Sequence, residues 1–135
     1  MKILSKTRAA ASIIGIFAGL GGASHGPGEI LQGNTTPSGV YIMAWPELTQ
    51  LAGEPAMTLV PNYLVTGILA IILGLVVTVW AAKYMHRKNG GLILIALSII
   101  MLLVGGGIVP PILGVATGLI STWINRSRSQ ETDSS

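Results

Sequence analysis

Cysteine is absent, which removes disulfides, thiolate metal sites and thiol nucleophiles from consideration. Charge is the second shortage. Thirteen acidic and basic side chains in 135 residues, half of which are apolar, leave too little polar surface to cover a soluble globule. The class this implies is an integral membrane protein. Residues 9–23, 62–82 and 92–124 carry no Asp, Glu, Lys, Arg or His. Proton-coupled transport, voltage sensing and selectivity by side-chain rings draw on such groups inside a span, so their lack weighs against those functions. Catalytic signatures are missing too: there is no Ser-His-Asp order, no HExxH and no Gly-rich phosphate loop following a strand. The expectation is a non-enzymatic protein that needs no cofactor.

What is present arranges itself around residues 62–82 (NYLVTGILAIILGLVVTVWAA), closed by Lys83. Twenty-one residues at 1.5 Å each give a helix of ~31 Å, the hydrocarbon thickness of a bilayer. Tyr63, Trp80 and Tyr84 stand where interfacial aromatic belts form.

Every basic residue falls in one of three clusters: Lys2, Lys6 and Arg8; Lys83, Arg87 and Lys88; Arg126 and Arg128. Between the first two clusters lie only Glu29, Glu47 and Glu54. Basic flanks on spans report topology, so the positive net charge argues for a cytoplasmic face and against nucleic acid as a partner. If the second and third clusters share a compartment, an even number of crossings separates them, and the chain must turn back between residues 92 and 124. As one helix that stretch would be ~50 Å long, too long for a single span.

The predicted architecture is therefore an all-α four-transmembrane-helix bundle with spans at about 5–23, 62–82, 91–107 and 110–124. Both termini are cytoplasmic, 24–61 is a long outer loop, and 125–135 is a disordered tail. A re-entrant half-helix competes with the fourth span. The basic start and short apolar run of residues 1–23 also fit a cleavable signal peptide. Retention is favoured by small residues at a spacing of four, Ala11, Gly15, Gly19 and Ala23, because a segment destined for removal needs no packing face.

Two further stripes share that spacing: Thr66, Ala70, Gly74 and Thr78 (continued by Ala82), then Gly114, Gly118 and Thr122. Close backbone approach across small residues is what favours helix association in lipid. The expected function is a structural or accessory subunit, or a homo-oligomer, with the bilayer and other membrane subunits or its own copies as partners. A small transporter or pore is the alternative. It rests on the helix break at Gly105, Gly106, Gly107, Pro110 and Pro111, where freed backbone carbonyls can line a pathway.

The outer loop holds the remaining candidates. His25 and Glu29 would share a helical face and, with Glu47 and Glu54, offer donors for a divalent metal. The intervening Gly26-Pro27-Gly28 instead predicts a polar turn. Residues 39–45 have the content of a short strand or an interfacial segment, and Pro46 begins a stretch fit for one or two helical turns. His86 is expected in a solvated basic patch meeting anionic headgroups. Asn34-Thr35-Thr36 reads as a glycosylation acceptor; Asn125-Arg126-Ser127 matches the same pattern on the wrong side.

Overall fold

The computed structural model describes residues 2–43 and 55–134. Four helices dominate: α1 (Lys2–Ile30), α2 (Tyr63–Lys83), α3 (Gly90–Leu103) and α4 (Val109–Ser134). Between α1 and α2, strands β1 (Tyr41–Met43) and β2 (Pro55–Met57) pair antiparallel, with Ile42 opposite Ala56. These two residues form a small core against Tyr63. Two segments, Ser5–Ile30 and Tyr63–Lys83, are long and apolar enough to cross a membrane.

α2 starts one residue later than its uncharged run. Asn62 is extended and accepts a hydrogen bond from the Val65 amide at 3.0 Å, satisfying one of the orphan donors of the first turn. At the other end the Tyr84 amide closes onto Trp80 O at 2.8 Å.

α1 departs from expectation. The first helix does not stop at residue 23; it continues through Gly26-Pro27-Gly28 to Ile30, and the connecting loop begins only after it. The reason is tertiary. A Cβ on Gly26 would lie 2.5 Å from Gly67 O, and one on Gly67 would lie 2.7 Å from Gly26 O, so both glycines serve close approach of α1 and α2. Proline is tolerated in such a helix because packed neighbours take over the groups it frees. Termination falls instead at Gly33, which adopts φ 84° and donates to Ile30 O at 2.9 Å.

α1 and α2 run antiparallel along a seam of small residues: Gly15 meets Ala81, Gly19 meets Thr78, Gly74 meets Ala23, and Gly26 meets Gly67. α3 and α4 form the second antiparallel pair, with Gly91 against Gly118 and Thr122, and Gly114 against Ser98. α1 also touches α4, through Gly15 and Thr117 and through Gly21 and Pro110. The three stripes read from the sequence thus face neighbours within the chain, except Ala82, which is exposed.

α3 ends at Leu103, short of the expected 107, because Gly105 and Gly107 take positive φ values of 91° and 87°. Pro110 and Pro111 do not belong to the break. They sit in the first turn of α4, where a missing N–H costs nothing. α4 then runs on to Ser134, so the expected irregular tail is helical. Beyond Gly118 it has no Gly or Pro, and extending an existing helix is far easier than starting one.

The core cluster gathers Ala11, Val77, Ala81, Met85, Leu94 and Met101, and small polar residues, Thr66, Ser98, Thr117 and Ser121, are buried beside it. The outside carries the bulk: Phe17, Leu20, Ile72, Leu75, Ile99, Leu119 and Trp123 are exposed. An exterior of large apolar side chains suits lipid as solvent.

Candidate functional site

The tight turn between α3 and α4 is seated on the last two turns of α1. Because α1 remains helical through Pro27, His25 and Glu29, four residues apart, fall on one face, and that face meets Gly105 and Gly107. A Cβ on Gly105 would lie 2.5 Å from Glu29 Oε2 and 2.7 Å from Oε1; one on Gly107 would lie 2.5 Å from His25 Nε2. Both glycines are required twice, by positive φ and by lack of space. The sequence marks the acid–base pair and the glycine break as separate features 76 residues apart. The fold joins them.

Glu29 is fully buried, and among the described residues neither carboxyl oxygen has a hydrogen-bond partner. A bare anion stripped of water and donors is costly, so this group calls for a proton or a cation. His25 is 4% exposed and its Nδ1 lies 2.7 Å from Gly21 O, one helical turn back, which fixes the ring with Nε2 towards the turn. Both residues belong to the apolar helical segment Ser5–Ile30, which runs past residue 23, the expected end of the first span.

Hydroxyls anchor the turn from its other flank. Thr66 Oγ1 donates to Val104 O at 2.6 Å and lies 2.5 Å from Thr58 Oγ1. Thr58 bridges to Val104, and the Leu59 amide donates to Leu103 O at 2.8 Å, so the segment after β2 covers the end of α3. Gly67 contacts both Gly26 and Ile30, which sets Glu29 level with the first turn of α2. All three glycines of the turn are buried, so its irregular backbone is covered by protein.

Of the four donors weighed for a metal, the fold brings His25 and Glu29 together, while Glu47 and Glu54 lie outside the described residues, as do the helical turns expected after Pro46. Among the described residues no group of three His, Cys, Asp or Glu gathers to hold a metal ion.

His86 is not the solvated residue expected of a basic patch. It is half-buried at the opposite end of the bundle, with Nε2 2.9 Å from Ser12 Oγ and 3.1 Å from Arg8 O, and Nδ1 3.4 Å from Ser121 Oγ. It links α1, the α2–α3 turn and α4. Trp80 likewise turns inward, donating from Nε1 to Gly90 O at 2.8 Å. Sequence reasoning gives no weight to Ser98 or Thr117. Both are buried, with hydroxyls lacking a partner among the described residues. Their one visible signal is that each is polar within an uncharged run.

No family model, curated protein or solved structure matches the chain. The site is therefore read from its own chemistry.

Proposed function

We propose that the protein is a small, non-enzymatic four-span membrane protein that takes up a small cation, the proton included, at Glu29 and His25 beneath the glycine turn. The observation that carries this reading is the fully buried Glu29 carboxyl, without a hydrogen-bond partner among the described residues and pressed against a backbone that only glycine can form. An ionisable residue inside a membrane helix is a functional group by default, since stability alone selects against it. In this reading the basic clusters lie in the cytoplasm, loop 31–62 faces outward, and α3 with the first half of α4 completes the third and fourth spans. α3 alone, at 14 residues, is ~21 Å long, so its span is finished by the covered turn.

The accessory-subunit or homo-oligomer reading is the second. Its support is the broad apolar exterior, but the small faces that would dock a partner are occupied within the chain.

An apolar carbodiimide, which couples to carboxyl groups from the lipid phase, tests the first reading. It should modify Glu29, seen as a single adduct by intact mass, and protons or an added mono- or divalent cation should alter the rate. Glu29→Gln should abolish the adduct. Absence of Glu29 labelling, or labelling indifferent to pH and every cation, would contradict it.

A further inference from the structure

The antiparallel hairpin of β1 and β2 has two apolar faces. Ile42 and Ala56 turn inward to Tyr63, as the core of a small sheet should. On the other face the register sets Tyr41 opposite Met57 and Met43 opposite Pro55, where a sheet bathed in water would alternate to polar residues. Tyr41 is 76% exposed, and Val40, Met43 and Leu59 are exposed on the same hairpin or next to it. Residues 31–43 and 55–62 carry no charge at all.

Hydrogen bonds fix the depth at which this surface stands. Thr66, three residues into α2, has its hydroxyl 2.5 Å from Thr58 Oγ1 and donates to Val104 O. The Thr58 amide in turn donates to Val40 O at 2.9 Å, and the Leu59 amide to Leu103 O at 2.8 Å. Val40, Thr58, Leu59 and the end of α3 therefore share one layer with Thr66, ~4.5 Å inside the start of α2. α2 is ~31 Å long, as long as the hydrocarbon is thick, with Tyr63 at headgroup level. The layer thus falls where headgroups give way to acyl chains. Gln32, just past α1, ties the far end of β1 to the same surface by donating from Nε2 to Met43 O at 2.6 Å.

The neighbours of this layer identify what covers the exposed face. Val65 and Ile68 on the first turns of α2, and Ile99 and Ile100 one turn before the end of α3, are exposed at or just below its level. These are lipid-facing positions in the four-span reading, on which this inference rests. α3 stops after only ~21 Å, and the hairpin continues its apolar surface outward.

We propose that the hairpin is set into the outer leaflet, with Val40, Tyr41, Met43 and Leu59 in the boundary between headgroups and acyl chains. A two-stranded sheet has no place in the hydrocarbon itself, because its open edges would go unpaired; at the boundary, water and headgroups satisfy them. An aromatic ring with a hydroxyl tip suits that depth. Residues 39–45 are then strand and interfacial segment at once. The segment from Thr58 to Val60, which covers the end of α3, has lipid on its outer side.

The test uses the full chain in phosphatidylcholine liposomes, with one nitroxide label on a single cysteine: Tyr41→Cys, Met43→Cys or Leu59→Cys. Ile72→Cys, exposed in the middle of α2, and Lys88→Cys, in the basic turn, are the references. Power saturation reads collisions with oxygen, which concentrates in lipid, and with a neutral nickel chelate, which stays in water. The hairpin labels should favour oxygen over nickel several-fold more than Lys88→Cys does. All three positions are exposed, so the melt should not change, and Met43→Cys repeats the reading of Tyr41→Cys from the same strand face if one variant fails to fold. Nickel access equal to that at Lys88→Cys would make the hairpin a water-facing cap and overturn the proposal. Poor access to both reagents would mean that a partner protein or a second copy covers the face, and would overturn it equally. If Ile72→Cys favours oxygen and the hairpin does not, the proposal fails and the span reading stands. If Ile72→Cys favours nickel, both fail.

Discussion

Gly105 and Glu29 are in van der Waals contact: the carboxyl occupies the volume a Cβ at 105 would need, 2.5 Å from Oε2. Gly105→Ala should therefore carry two penalties, a side chain at φ 91° and a collision with the acid. Left-handed strain alone costs roughly 1–3 kcal/mol. In a thermal melt followed by tryptophan fluorescence, Gly105→Ala should lower stability by at least that amount. Adding Glu29→Ala should recover the steric part, so the pair is non-additive. Additive losses would mean that the two groups do not touch.

The α1–α2 seam predicts a contrast between glycines. Gly67→Val should destabilise strongly, because a Cβ there meets Gly26 O at 2.7 Å and the Ile30 amide at 2.9 Å. Gly39→Ala, with nothing within 4 Å, should shift stability by no more than ~0.5 kcal/mol. Equal effects in the same melting assay would argue against the packed seam.

Asn62 caps α2 and also donates from Nδ2 to Asn34 Oδ1 at 2.5 Å, tying the loop to the helix start. Asn62→Ala should cost about 1 kcal/mol, and Asn62→Asp, which keeps the capping oxygen, should cost less. Hydrogen exchange at the Val65 amide should rise in the alanine variant alone.

His86→Ala should loosen the end of the bundle away from the loop by removing contacts to Ser12, Arg8 O and Ser121. At about 1 kcal/mol per hydrogen bond the loss is modest, and it should appear as faster exchange in residues 8–12 without change at the glycine turn. A global loss of protection would contradict this local role.

How much of this was legible in the sequence differs by element. Residues 62–82 declare a helix because their uncharged length matches the bilayer, and α2 begins within one residue of that reading. Residues 39–45 show β-branched and aromatic content, and β1 lies within them. β2 was not legible: Pro-Ala-Met has no strand signal, and its pairing comes from a partner fourteen residues away. The length of α1 was misread because Gly26-Pro27-Gly28 has the local signature of a turn, and only contact with Gly67 explains a helix there. That one misreading hid the site, since His25 and Glu29 share a face only if the helix continues. The glycine break was visible, but nothing local says which side chains a turn 76 residues downstream will cover.

The functional account depends on four crossings that leave the glycine turn near one surface and His86 near the other. The absence of native cysteine makes the direct measurement simple: single cysteines at Gly39, Lys88 and Ser127 in intact cells, labelled with a membrane-impermeant maleimide. Gly39→Cys should react from outside, while Lys88→Cys and Ser127→Cys should react only after the membrane is opened. Labelling that places positions 88 and 127 on opposite sides would contradict the four-span arrangement and the ion site built on it.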